Sequence, residues 1–176
     1  MAIADSNTFV HAEITDNQSV IARSIAALLK LPLGDTHDLF QVLDVCQRYA
    51  DELIETDNHA EYIALCGRLL AGLNVLKVVL KSPLQKHLIE QLTVNENHAD
   101  EYRSPLSIDS ETTCDYCSAL TMVLLNQQIS LEKQEHIIGL LFELLCMLAE
   151  DLKAPRFIRT TTGLVMIDGE AVPGIH

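Results

Sequence analysis

Apolar residues recur along much of this chain at intervals of three and four, the spacing that gathers side chains on one face of an α-helix. The clearest run is Leu39, Leu43, Cys46, Tyr49, Ala50 and Leu53, with Asp44, Arg48, Asp51 and Glu55 on the opposite side. It predicts a helix that starts from a cap at Asp35 or Thr36 and ends near Thr56. Upstream, Val20, Ile21, Ile25, Leu28 and Leu29 predict a first helix, capped by Thr15 or Asp16 and broken by "LPLGD" at 31–35. Downstream, Asn58 followed three residues later by Glu61 has the spacing of a capping box and opens a third helix running to about Lys81. Ser82, Pro83 and Gln85 suit the cap, first-turn and reciprocal positions of a short fourth helix ending between Gln91 and Thr93.

Residues 94–111 are polar and acidic, contain proline and show no period, which predicts a long loop. A fifth helix is expected from Thr112 or Thr113 to just before Ser130. Ser130 can cap a sixth, "LEKQEHIIGLLFELLCMLAEDLK", which Pro155 terminates. Beyond it, "RFIRTTTGLVMIDGEAV" is rich in β-branched residues, with turn signals at Thr162–Gly163 and Asp168–Gly169. A hairpin alone is marginal in water, so this one must lie on the helices or pair with a neighbouring chain. The expected fold is all-α: a single helical domain over 1–153, a bundle of about six helices, with a short C-terminal extended arm or β-hairpin over 154–176.

Two helices carry more apolar surface than one ordinary face needs. On a wheel, the sixth confines Glu132, His136, Gly139, Glu143 and Glu150 to a narrow stripe, and the third does the same with Asn74, Lys77 and Lys81. Either both lie at the centre of the bundle or one completes its burial against a second subunit, which favours a homodimer. The small residues Ala64, Gly67 and Ala71 would admit a closely approaching backbone in either case.

Composition narrows the class. The chain has 176 residues, 48% of them hydrophobic and 21% charged, enough for a buried core; with no Trp, that core must be largely aliphatic. The formal net charge is −13. Such a surface repels phosphate backbones and anionic lipid, so neither nucleic acid nor a membrane surface is an expected partner. The charge is uneven, acidic over 1–57 and 95–118 and slightly basic between. Residues 63–80 are apolar enough to suggest a membrane span, but Arg68, Asn74 and Lys77 interrupt them, and a buried helix is the expected outcome. The first twenty residues lack the charged and apolar regions of a secretory signal, and five cysteines suggest reduced thiols in a cytoplasmic setting.

The chemistry candidates are few. Cys114 and Cys117 form a C-x-x-C pair, half of a structural zinc site, with His98 the best-placed third ligand; no second pair stands at ligand spacing. If Thr112 or Thr113 caps the fifth helix, Cys114 falls in its first turn, where the dipole lowers a thiol pKa while Glu111 and Asp115 oppose that effect. The competing reading places Cys117, with Leu120 and Leu124, in an apolar face and Cys114 at its edge. Nucleophile-elbow, phosphate-loop, zinc-protease and dinucleotide motifs are all missing from the sequence.

The function expected from these features is non-enzymatic: a small acidic cytoplasmic adaptor or regulator that binds another protein, one with a basic face, and that is itself homodimeric. Candidate contact residues are Asp44, Asp51 and Glu55 on the second helix, Asp100, Glu101 and Tyr102 in the loop, and Phe157 and Ile158 in the arm. No cofactor is expected. The alternatives are a metal or thiol sensor built on Cys114 and Cys117, with zinc as the metal, and a bundle binding a small molecule between helices three and six.

Overall fold

The computed structural model describes residues 25–34, 37–95, 108–161 and 163–167. Within them the chain forms a helical bundle with a small three-stranded sheet. Helix α1 is described over residues 25–29, followed by α2 (Leu39–Glu55), α3 (His59–Leu80), α4 (Lys86–Gln91), α5 (Ser110–Asn126) and α6 (Leu131–Lys153). Helix α2 packs on α3 and α6, and α5 packs on the same two, so α3 and α6 stand at opposite corners of a four-helix square. Neither is central, as the surplus of apolar positions had suggested one or both could be.

The helical faces read from the sequence are the buried ones. Leu39, Leu43, Cys46, Tyr49, Ala50 and Leu53 are all buried on α2, while Asp44, Arg48, Asp51 and Glu55 are exposed. By length and composition α3 could cross a membrane, yet in this fold Tyr62, Leu65, Cys66, Leu69, Leu73 and Leu76 are buried in the bundle. Arg68, which interrupts that apolar run, has a specific task. Its Nε donates to the Tyr49 hydroxyl (3.2 Å), its fork donates to the Leu31 carbonyl, and the guanidinium lies 5.8 Å from the Tyr49 ring centre. The Tyr49 hydroxyl in turn donates to the Leu28 carbonyl (3.3 Å). The end of α1 and the turn after it are thus fastened to α2 and α3 through the Leu28 and Leu31 carbonyls.

Several helix starts differ from expectation. Asp38 caps α2, accepting from the Gln41 N–H (2.8 Å) while the Gln41 side chain accepts from the Asp38 N–H (3.1 Å), a complete capping box. Asp35 and Thr36, the expected caps, lie outside the described residues, as do Thr15, Asp16, Val20 and Ile21. Asn58 does cap α3, but the Glu61 carboxylate accepts from the Thr56 hydroxyl, which itself accepts from the Asn58 N–H. Ser82 caps nothing: its hydroxyl turns back to the Val78 carbonyl (3.2 Å), and α4 begins four residues later, at Lys86 after Gln85. Asp109 caps α5, three or four residues before the expected Thr112 or Thr113. Ser130 holds the N-cap position of α6 without a side-chain bond, and α6 ends before Pro155.

The hairpin is present as β2 (Phe157–Thr160) and β3 (Gly163–Met166), paired antiparallel from Phe157↔Met166 to Thr160↔Gly163. Asp168 and Gly169 lie outside the described residues. The hairpin does not stand alone. The start of the expected loop is a third strand, β1 (Thr93–Asn95), which runs parallel to β2 in the register Thr93↔Phe157, Val94↔Ile158, Asn95↔Arg159. Arg159 reaches back to Glu90 at 2.5 Å, so the arm is fastened to this same chain. The uneven charge has a use as well. Lys77 of α3 and Lys81 at its C-cap pair with Asp115 and Glu111 of α5, and Lys153 of α6 pairs with Asp44 of α2 (2.5 Å).

Candidate functional site

Cys114 and Cys117 are buried in the core on α5, on the face shared with Thr113, Thr121 and Leu124. Because α5 starts at Ser110, Cys114 lies in the second turn, beyond the first-turn position from which the helix dipole acts most strongly. Burial pushes the Cys114 thiol up to about 12; Lys77 pulls it down, while Asp115 and Glu111 push it further up. Burial also holds Cys117 up at about 12, with neighbouring Cys114 adding to the effect. Cys46, on the diagonally opposite helix α2, is raised to about 12 by burial and by the charge these two would carry as thiolates. All three thiols therefore sit in the core as small hydrophobes that resist ionisation. Among the described residues no group of three or more His, Cys, Asp or Glu side chains stands together at metal-binding range. His98 lies outside the described residues.

The acidic candidates divide. Asp44, Asp51 and Glu55 are exposed on α2. Asp44 is engaged by Lys153, and the two stand on the wall of an open groove of about 480 Å3 between the start of α2, α4 and the end of α6. Asp100, Glu101 and Tyr102 lie outside the described residues. In the arm Ile158 is half-buried, but Phe157 is buried beside Leu92, whose carbonyl accepts from the Phe157 N–H (3.1 Å). Phe157 is therefore an anchor of the sheet; its side chain is not a free contact.

The structure adds a surface that the sequence reading missed. Helices α5 and α6 are consecutive, joined by residues 127–130, and pack on each other as an antiparallel pair. The Lys77–Asp115 and Lys81–Glu111 pairs fix which side of α5 meets α3, and Tyr116 and Val123 lie on the other side, toward α6. On α6, Lys153 and the contact between Gln47 and Cys146 mark the side toward α2, and Leu140 and Met147 lie on the side toward α5. Tyr116 is 49% and Leu140 52% exposed, with Val123 and Met147 also exposed. Leu120, Ile137 and Leu144 lie between them, partly buried against the core. Together these residues form one apolar strip along the α5–α6 flank without an ionisable side chain except the Tyr116 phenol. Tyr116 and Val123, seven residues apart, were the sequence signal for it: two turns on one outward line.

Among the classes of protein architecture this is a helical bundle clasped by a small mixed sheet. No family model, curated protein or solved structure matches the chain.

Proposed function

We propose that this protein acts by binding other protein chains, as a small acidic cytoplasmic adaptor or regulator, and that it works as a homodimer joined along the α5–α6 flank. The observation that carries the reading is the uncovered apolar strip of Tyr116, Val123, Leu140 and Met147. Contiguous exposed apolar surface on a folded domain marks an interaction site. A second copy is the occupant that fits. Two chains of net charge −13 repel one another over most of their surfaces, and this strip carries no carboxylate. An isologous contact repeats the same strip on both sides, so its apolar residues meet apolar residues.

Native mass spectrometry of the reduced protein tests the proposal. The expected spectrum is a metal-free dimer that Leu140→Lys converts to a monomer without loss of helical content. A monomeric wild-type protein at micromolar concentration overturns the dimer. One zinc per chain would instead support the sensor alternative at Cys114 and Cys117.

A further inference from the structure

A second, smaller cleft lies elsewhere, where the end of α2 meets the first half of α6, with a volume of about 240 Å3. Leu53 and Ile138 supply apolar walls, and Gly139 leaves its α6 wall without a side chain: a Cβ built there meets nothing within 4 Å. At the mouth stand Ile54, 50% exposed, and Leu131, 68% exposed. Asp57 and Glu135 also line the cleft, whereas no Lys or Arg does among the described residues. Thr56 and Gln134 also line the cleft, and Tyr62 completes the lining. It is 4% exposed, and its hydroxyl makes no hydrogen bond. The Cys66 thiol one turn along is a neighbour of that hydroxyl but, as a thiol, a poor acceptor.

These features select an occupant. Pockets for whole small-molecule ligands run from about 300 to 1,000 Å3, so this one suits a single large side chain better than a metabolite. Exposed apolar residues around an apolar floor are the setting of an anchor residue at a protein interface, where one inserted side chain dominates binding. Two carboxylates without a cationic neighbour in the lining favour lysine or arginine on the incoming segment. The unsatisfied Tyr62 hydroxyl adds a donor that a backbone carbonyl could use after a small shift, which removes the penalty of leaving it unpaired.

We propose that the α2–α6 cleft captures an apolar side chain presented by a basic segment of another protein, held by Leu53, Ile138 and Gly139 and flanked by Asp57 and Glu135. The proposal rests on the reading that this protein acts by binding other chains, and it names where a partner docks and with what chemistry. This site is separate from the α5–α6 flank, so cleft and dimer can fail independently.

The test uses the full chain and a labelled synthetic amphipathic peptide of leucines and lysines, followed by fluorescence anisotropy and by amide shifts in an NMR spectrum. Binding is expected, with the largest shifts at Ile54, Tyr62, Leu131 and Gly139. Gly139→Leu, whose Cβ meets nothing within 4 Å, should weaken binding about tenfold or more while the thermal melt is retained. Leu140→Lys, on the dimer flank, should leave peptide affinity unchanged. A peptide with glutamate in place of lysine should bind far more weakly. Three results overturn the proposal: no binding up to millimolar peptide, equal affinity for Gly139→Leu, or equal affinity for the glutamate peptide. A dimer that fails to bind the peptide loses the cleft alone; a monomer that binds it loses the dimer alone.

Discussion

Gly72 of α3 and Cys46 of α2 meet so closely that a Cβ on the glycine would lie 2.7 Å from the cysteine Sγ. Helices α2 and α3 owe their close approach at this level to the missing side chain. Gly72→Ala should therefore cost about 1–3 kcal/mol, the usual penalty of overpacking a filled core. Adding Cys46→Ala should recover most of it, seen as a coupling of about 0.5–3 kcal/mol in a double-mutant cycle by urea denaturation. Gly67, five residues earlier, is exposed, and a Cβ there meets nothing within 4 Å. Gly67→Ala should stabilise by about 0.5–1 kcal/mol, so one substitution in one helix has opposite signs at two positions. Equal effects at both would show that the contact does not matter.

Arg68 makes a substitution by lysine far from neutral. A single ammonium cannot bond the Tyr49 hydroxyl and the Leu31 carbonyl together while lying over the Tyr49 ring. Arg68→Lys should cost about 1–3 kcal/mol in the denaturation midpoint and speed amide exchange in residues 25–31 before the rest of the bundle. Unchanged exchange there would sink the idea that Arg68 holds α1.

The buried thiols make the protein sensitive to alkali. Burial raises Cys46, Cys114 and Cys117 to about 12 and Cys66 to about 11 from an ordinary 9.0. The unfolded chain gives up these protons first. Stability is thus complete below about pH 9 and falls as pH rises toward the folded values, by about 1.4 kcal/mol per pH unit for each thiol. Thermal melts taken between about pH 8 and pH 11 should show this decline, and Cys46→Ala should make it shallower. With a thiol reagent at neutral pH, half-buried Cys146 should react first, and Cys146→Ser should abolish that fast phase.

Asp38 works at the opposite end of the pH scale. Burial acts to raise its pKa, but the Gln41 N–H and His87, 2.9 Å away, outweigh it and hold the carboxyl below its usual 3.8. Its contribution is present above about pH 3.8 and lost as pH falls further. Asp38→Ala should cost about 0.5–2 kcal/mol at neutral pH, and Asp38→Asn, which keeps the cap, much less. Equal losses for the two variants would mean that the charge matters and the cap does not.

The buried faces were legible in the sequence because period 3.6 is local: every core position named on α2 is in the core. Cap positions were less so, since "GDTHD" offers several capping residues within a few positions and only the pairing of Asp38 with Gln41 selects one. Ser82 and Gln85 show the converse, a capping-box spacing that the chain does not use because the Ser82 hydroxyl bonds back into the last turn of α3. Strand β1 was out of reach. Thr93, Val94 and Asn95 carry no pattern of their own and are a strand only because β2, more than sixty residues later, lies beside them. The site followed the same rule. The C-x-x-C pair was visible and belongs to the core, whereas the α5–α6 strip needed the neighbours of each helix before its exposed side could be told from its buried one.

The parallel pairing of β1 with β2 orders the events of folding. Helices α2 with α3, and α5 with α6, are neighbours in sequence and can associate early. Strands β1 and β2 instead join residues 93–95 to 157–159, so their hydrogen bonds form only once that long loop has closed. A clasp assembled last has the least to lose by opening. Brief unlatching of the sheet, with the four helices still packed, would then be the least costly excursion this molecule makes from its native state.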